Sequence, residues 1–422
     1  MQVLFLLLLL AAGSQAQAQK LTPQAYKEDF VYFWTTLQEN YAYFDKKQTD
    51  WNQVRTLYEK SLDTIKSNRD FTTFLEVVFR EIYDDHASLN TNTPYSRRLV
   101  PSGTDVWAAF VGGKPLITEV RKGLGADKAG ITAGMEILAI NNVAVEAAIA
   151  PFIPKTLKTP DPEARNYALR LALAGNHIQP RKFMLKYKGQ IAAYYPDQAG
   201  MLLENIQYPA LLTAFITDNI GYIRINNSLY NNQLIAAFDS VMATMAGTKG
   251  LVLDLRETPS GGNTTVARAI LGWFINQDQF YQKHELPAEE RAYGVKRSWV
   301  EIASPRAGKY YSKPLVVLTS HWTGSVGEGI TIAFDGMKRA TTIGTPLAGL
   351  RGAIYSYRMP HTQIGFSLPV EKLYHINGTP REQYRPLLEM DVSTLAAAAG
   401  GDPVFEKAVQ VLKGKVGMVS DE

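Results

Sequence analysis

Two nearly unbroken apolar runs constrain this 422-residue chain more than any other feature. Residues 251–255 read Leu-Val-Leu-Asp-Leu and residues 314–319 read Pro-Leu-Val-Val-Leu-Thr. Each leads through a Gly-containing turn into a helical pattern, at 263–274 and 326–334. Apolar strands of that length are covered on both faces, so the sheet lies between helices. The stretch 205–415 is therefore read as an α/β unit. A strand at 220–225 and a helix at 233–245 come before these runs. Strands at 353–358 and 363–368 and a capped amphipathic helix at 402–412 come after them.

Upstream the pattern differs. Thr22-Pro23 offers a cap followed by proline at the first helical position. Tyr26, Phe30, Phe33, Leu37 and Tyr41 then recur at three- and four-residue spacing, one apolar face of a helix. Further helices are expected at 51–65 and 71–82, and the polar run 90–98 reads as a linker. Short apolar runs at 106–111, 115–120, 136–140 and 183–187 alternate with Gly-containing turns and read as strands.

The first residues predict export. Residues 3–12 are apolar but too few to span a bilayer, and Ala16-Gln17-Ala18 is a cleavage signature. Residues 1–18 are read as a signal peptide, and the mature chain as a soluble periplasmic or secreted bacterial protein with no integral membrane segment. The chain has no Cys, so the exported fold stands without disulfides. A 46% hydrophobic composition excludes a disordered chain. A net charge of +4 with no basic stripe argues against nucleic acid.

Three places carry candidate chemistry. The turn 253–263 brings Gly261 and Gly262 to a helix start, where free N–H groups suit a negative charge. In the turn 318–328, small residues flank Ser325 and leave its hydroxyl open at another helix start. His86 follows Asp84-Asp85 at the end of the helical region. His321, four residues before Ser325, is a second candidate base. Asp254 and Glu328 are read as structural. No His-x₃-His pair, cysteine or phosphate loop is present, so no metal or cofactor is expected.

Taken together, these motifs resemble the C-terminal processing peptidases, the superfamily that includes the tricorn core protease and the retinoid-binding modules of the photoreceptor matrix. The stretch 126–142, ending in Asn141-Asn142, resembles part of a PDZ domain, which binds extended peptides by strand addition. The resemblance implies four parts: signal peptide 1–18, helical domain 19–98, PDZ-like domain 99–200 and crotonase-like (ClpP/crotonase) β-β-α catalytic domain 201–422. It also implies a serine endopeptidase acting on peptides or unfolded protein tails. One branch activates its serine with a lysine 25 residues later, but position 350 is Leu350. The tricorn-like branch instead uses an upstream histidine and a Glu in Gly-x-Pro-x-Glu, here Gly378-Thr379-Pro380-Arg381-Glu382. The resemblance thus implies Ser325 as nucleophile, His86 as base and Glu382 as support on the histidine side. The oxyanion would sit on N–H groups of Val326 and Gly261 or Gly262. Asp85 would repel Glu382 unless one of the two holds a proton. The alternatives are a peptide- or ligand-binding protein on the same scaffold without turnover, and an acyl hydrolase.

Overall fold

Thr22 caps the first helix, Pro23–Asn40, through Oγ1, which accepts from the Ala25 N–H at 3.2 Å. The computed structural model describes residues 21–199, 206–397 and 401–419; the expected signal peptide lies outside them. Helices Pro23–Asn40, Trp51–Glu59 and Asn68–Phe79 share a core of Phe30, Phe33, Leu37, Phe71 and Val78. Phe366 and Leu368, from the far end of the sequence, complete it. The helical region is thereby bonded to the C-terminal half. It ends at Tyr83, whose left-handed backbone (φ 34°) turns the chain into Asp84-Asp85-His86. Strand Ser88–Leu89 then pairs antiparallel with Ser367 and Phe366.

The middle of the chain forms an antiparallel sheet of Val106–Val111, Lys114–Val120, Glu136–Ile140, Phe183–Tyr187 and Gln190–Tyr194, with Val143–Ala144 to one side. Asn141 and Asn142 both have positive φ (49° and 66°), as a two-residue hairpin turn requires. A helix that the strand-rich reading did not anticipate, Pro162–Ala174, packs on this sheet. Its start is conventional: Asp161 caps it, accepting from the Glu163 N–H at 2.8 Å, and Pro162 takes the first position.

The C-terminal half holds a six-stranded sheet in the order Leu388–Glu389, Thr341–Gly344, Leu315–Thr319, Gly250–Asp254, Ile220–Ile225, Leu212–Thr217. All neighbours are parallel except the last pair. Alternation along the strands sorts the layers. Leu251, Leu253, Leu315 and Val317 face helices Gln233–Thr244, Thr264–Leu271 and Val326–Gly336. Val252, Val316 and Leu318 face Val404, Ala408 and Leu412 of the last helix, Pro403–Val419. A second sheet, built around Gly365–Tyr374, carries Ser88–Leu89, Ala353–Arg358, Gln279–Glu285 and Ser298–Ala303. Among the described residues no helix is long and apolar enough to cross a membrane.

Candidate active site

Parallel strands Gly250–Asp254 and Leu315–Thr319 end together, with Asp254 opposite Leu318. The turns beyond them run side by side. The Thr258 N–H donates to Trp322 O at 3.2 Å and the Gly324 N–H to Thr258 O at 3.3 Å. Thr258 and Thr323 both donate their hydroxyls to Leu255 O, at 2.8 and 3.0 Å. This double stitch fixes the corner on which Ser325 sits.

Ser325 stands at the head of helix Val326–Gly336 with φ 50° and ψ −109°. A positive φ is strained for a residue with a Cβ and needs support from its surroundings. Glu328 supplies that support: its Oε2 accepts the Ser325 N–H at 2.8 Å. Gly261, at φ 64°, lies against the serine. A Cβ there would sit 2.5 Å from Ser325 Cβ and 3.3 Å from the Val326 nitrogen, so only glycine fits. The Gly261 N–H is already committed to Thr258 O at 3.1 Å. The N–H groups of Gly262 and Val326 have no acceptor among the described hydrogen bonds, and Val326 is an orphan donor of the first helical turn.

Glu328 is fully buried and does more than cap. Its Oε1 accepts the N–H groups of Gly349 (2.9 Å) and Leu350 (3.2 Å). One carboxylate thus ties the Ser325 corner to the segment 349–352. Burial raises the Glu328 pKa to about 7, against the nearby Arg381 charge and the three N–H groups.

His86 meets the same segment from the opposite side. Its Nδ1 lies 2.6 Å from Arg351 O. A carbonyl only accepts, so Nδ1 carries the hydrogen and Nε2 keeps a lone pair. The His86 N–H is held by Asp84 Oδ1 at 2.9 Å, and Asp84 Oδ2 accepts from Tyr41 Oη at 2.6 Å. Burial, aided by the Arg381 charge, lowers the His86 pKa to about 4. Among the described hydrogen bonds none joins Ser325 Oγ to His86; the two residues are connected through 349–352.

Glu382 arrives at this segment through its neighbour. Arg381 Nη2 donates to Leu350 O and Gly352 O, both at 2.9 Å, and lies 3.6 Å from Glu328 Oε2. The Glu382 carboxylate does not reach His86 in any described hydrogen bond. Its Oε2 is buried without a partner, and burial raises its pKa. Asp85 turns to the unanticipated helix, where Arg170 holds its Oδ2 at 2.6 and 3.1 Å. That ion pair opposes, without outweighing, the burial that raises the Asp85 pKa. His321 is engaged elsewhere: its Nδ1 lies 2.6 Å from Glu119 Oε2 and its ring stacks on Trp107.

Sequence reasoning set Glu328 aside and did not single out Arg381 or the Arg351 carbonyl. The Ser325-x-x-Glu328 spacing is a capping-box signature, a signal that could have found Glu328. Nothing local marks a carbonyl or a distant arginine. Among the described residues no group of His, Asp and Glu is arranged to hold a metal.

Residues 219–391 match the model of peptidase family S41, and residues 22–79 match that of the tricorn protease C1 domain. Among solved structures, mature CPAF is 15% identical with a TM-score of 0.60, covering 94% of this chain and 97% of that one. The photosystem II D1 C-terminal processing protease is 16% identical with a TM-score of 0.55, covering 90% and 98%. A peptidase structure from Parabacteroides merdae is 15% identical with a TM-score of 0.55, covering 93% and 97%. The fold is shared with all three along nearly their whole length.

Proposed function

We propose that the protein, whose residues 219–391 match the model of peptidase family S41, is an exported serine endopeptidase in which His86 activates Ser325. The observation that carries this reading is the Nδ1–H of His86 bound to Arg351 O, on a segment clamped by Glu328 to the Ser325 corner. That bond fixes the tautomer and leaves the lone pair of Nε2 as the proton acceptor. A pKa of about 4 keeps the ring unprotonated at neutral pH. His321, whose Nδ1 is held by Glu119 Oε2 at 2.6 Å, is the competing base, and the His86→Ala variant separates the two.

In this mechanism His86 Nε2 takes the Ser325 proton as Oγ attacks the scissile carbonyl. The oxyanion settles on the N–H groups of Val326 and Gly262, each worth about 10²–10³ in rate. The protonated imidazole then gives its proton to the leaving amine, and water hydrolyses the acyl-enzyme by the reverse path. Glu382, buried with Oε2 unpartnered among the described residues, takes no part in the proton transfer. The crotonase-like reading of the α/β half and the PDZ-like reading of the middle sheet fit this assignment. So does cleavage of residues 1–18 on export, which delivers the mature chain to peptide or unfolded-protein substrates.

The test is active-site labelling. The mature chain should react with a fluorophosphonate at Ser325, and Ser325→Ala should abolish labelling and peptide cleavage. His86→Ala should lose roughly 10²–10⁴ in rate with its circular dichroism spectrum unchanged. Full cleavage by His86→Ala would move the base elsewhere. An unlabelled wild type would favour a binding protein on this scaffold.

A further inference from the structure

Glu163 stands half-buried in the first turn of helix Pro162–Ala174, and two different cations take its two carboxylate oxygens. Oε1 accepts from Lys47 Nζ at 2.9 Å, and Oε2 accepts from Arg351 Nη2 at 2.7 Å. Lys47 lies between the first two helices and Arg351 in the segment 349–352, so three distant stretches of chain meet at one side chain. Burial works against the charge on Glu163, but Lys47 and Arg351 outweigh it and hold its pKa below the usual range.

Each cation has a second contact that leads to His86. The Lys47 side chain is fully buried; its Nζ also donates to Tyr83 O at 3.0 Å and lies 3.9 Å from the centroid of the Tyr83 ring. Tyr83 is the left-handed residue that turns the chain into Asp84-Asp85-His86. The Tyr83 hydroxyl donates to Asp161 Oδ2 at 2.7 Å, so the residue that caps the Glu163 helix holds this turn as well. Among the described residues the Arg351 guanidinium has Glu163 as its one hydrogen-bond partner, and Arg351 Nε is buried without one. The Arg351 carbonyl is the group that accepts the His86 Nδ1–H at 2.6 Å. One carboxylate therefore steadies both the backbone that delivers His86 and the acceptor that orients its ring.

We propose that Glu163 is a positioning residue for the base: through Lys47 and Arg351 it fixes where His86 stands and how its ring is turned. Glu163 forms no described hydrogen bond to His86 or Ser325, so it acts only through the two cations. In a serine triad a carboxylate bonded directly to the imidazole sets its tautomer and orientation. Here a neutral carbonyl receives the Nδ1–H, and the carboxylate stands behind it, on the side chain of the same arginine. A loop carbonyl orients a ring only if the loop is itself held, and a misplacement of about 1 Å costs about 10²-fold in rate. The proposal rests on Ser325 and His86 being the hydrolytic centre.

Steady-state kinetics of peptide hydrolysis by the mature chain test this, with a thermal melt of every variant. Glu163→Gln keeps the shape and removes the charge; it should lower kcat by about 10²-fold. KM should stay within about twofold, because the interaction shapes the reacting geometry and not substrate binding. Glu163→Asp, which keeps the charge, should recover part of the loss. Arg351→Gln breaks the same link from the other end while leaving the backbone carbonyl in the chain, and should reproduce the fall in kcat if Glu163→Gln melts too early to assay. The deciding arm is a double-mutant cycle. In a His86→Ala background, adding Glu163→Gln should change the residual rate by less than about twofold, since nothing is left to position. A further loss there as large as in the unsubstituted background would make Glu163 purely structural and overturn the proposal. Unchanged kcat in both Glu163→Gln and Arg351→Gln, or a rise in KM with kcat kept, would overturn it too. Failure of the catalytic reading looks different: the unsubstituted chain hydrolyses no peptide, or His86→Ala keeps its full rate, and the proposal falls with it.

Discussion

His86 shows how one residue's surroundings set both chemistry and stability. Its folded pKa of about 4 lies below the ordinary value of 6.5 because burial and Arg381 oppose its charge. Between those two pH values the unfolded chain takes up a proton that the folded chain refuses. This group's contribution to stability is therefore complete above about pH 6.5 and is lost as pH falls toward 4. For catalysis the same shift extends the neutral form downward. The acid limb of kcat/KM should lie near pH 4, measured by initial rates of peptide hydrolysis across pH. A limb near 6.5 would mean that another imidazole, or a more exposed His86, is the base. The resemblance named His86, Ser325 and Glu382 because the motif residues it rests on are local in the chain. It did not pick out Glu328, whose importance comes from three N–H groups that folding delivers from two separate segments.

At the scale of elements, strands were read well where a short apolar run lies between turns. Residues 106–111, 136–140, 183–187 and 220–225 form strands with those boundaries. Strands Gln279–Glu285 and Ser298–Ala303 were missed, because polar residues interrupt their apolar ones and they are held by pairing within the second sheet. Helix Pro162–Ala174 was missed among strands although its cap, proline and terminal Gly175 were visible. The helix matters to the site, since Arg170 holds Asp85 and Glu163 holds Arg351 at 2.7 Å. The turn at Gly261 makes the sharpest prediction at this scale. Gly261→Ala places a methyl 2.5 Å from Ser325 Cβ, at a φ of 64° that disfavours it. A displacement of the nucleophile by about 1 Å predicts a loss of about 10²-fold in kcat. Steady-state kinetics beside a thermal melt would separate this from unfolding.

At the scale of the molecule, the middle sheet and the α/β half are locked together around the nucleophile corner. Trp322, three residues before Ser325, is buried in the middle sheet's core and donates Nε1–H to Thr104 O at 2.9 Å. Arg121 grips Glu257 with two hydrogen bonds at 3.0 and 2.8 Å, and Glu119 holds His321 and Thr345. Trp322→Ala should cost about 3–5 kcal/mol, read from urea unfolding, and should lower fluorophosphonate labelling as the corner loosens. Normal labelling with normal stability would show that docking and the corner are independent. The sequence could say that residues from distant segments must meet, but not that 349–352 is the meeting point. This short ribbon has three grips on it: Glu328 from below, Arg381 from the side and His86 from across the cleft. A partner or inhibitor that peeled it back would unseat the proposed attacker and proton acceptor in one movement, a single fuse rather than two.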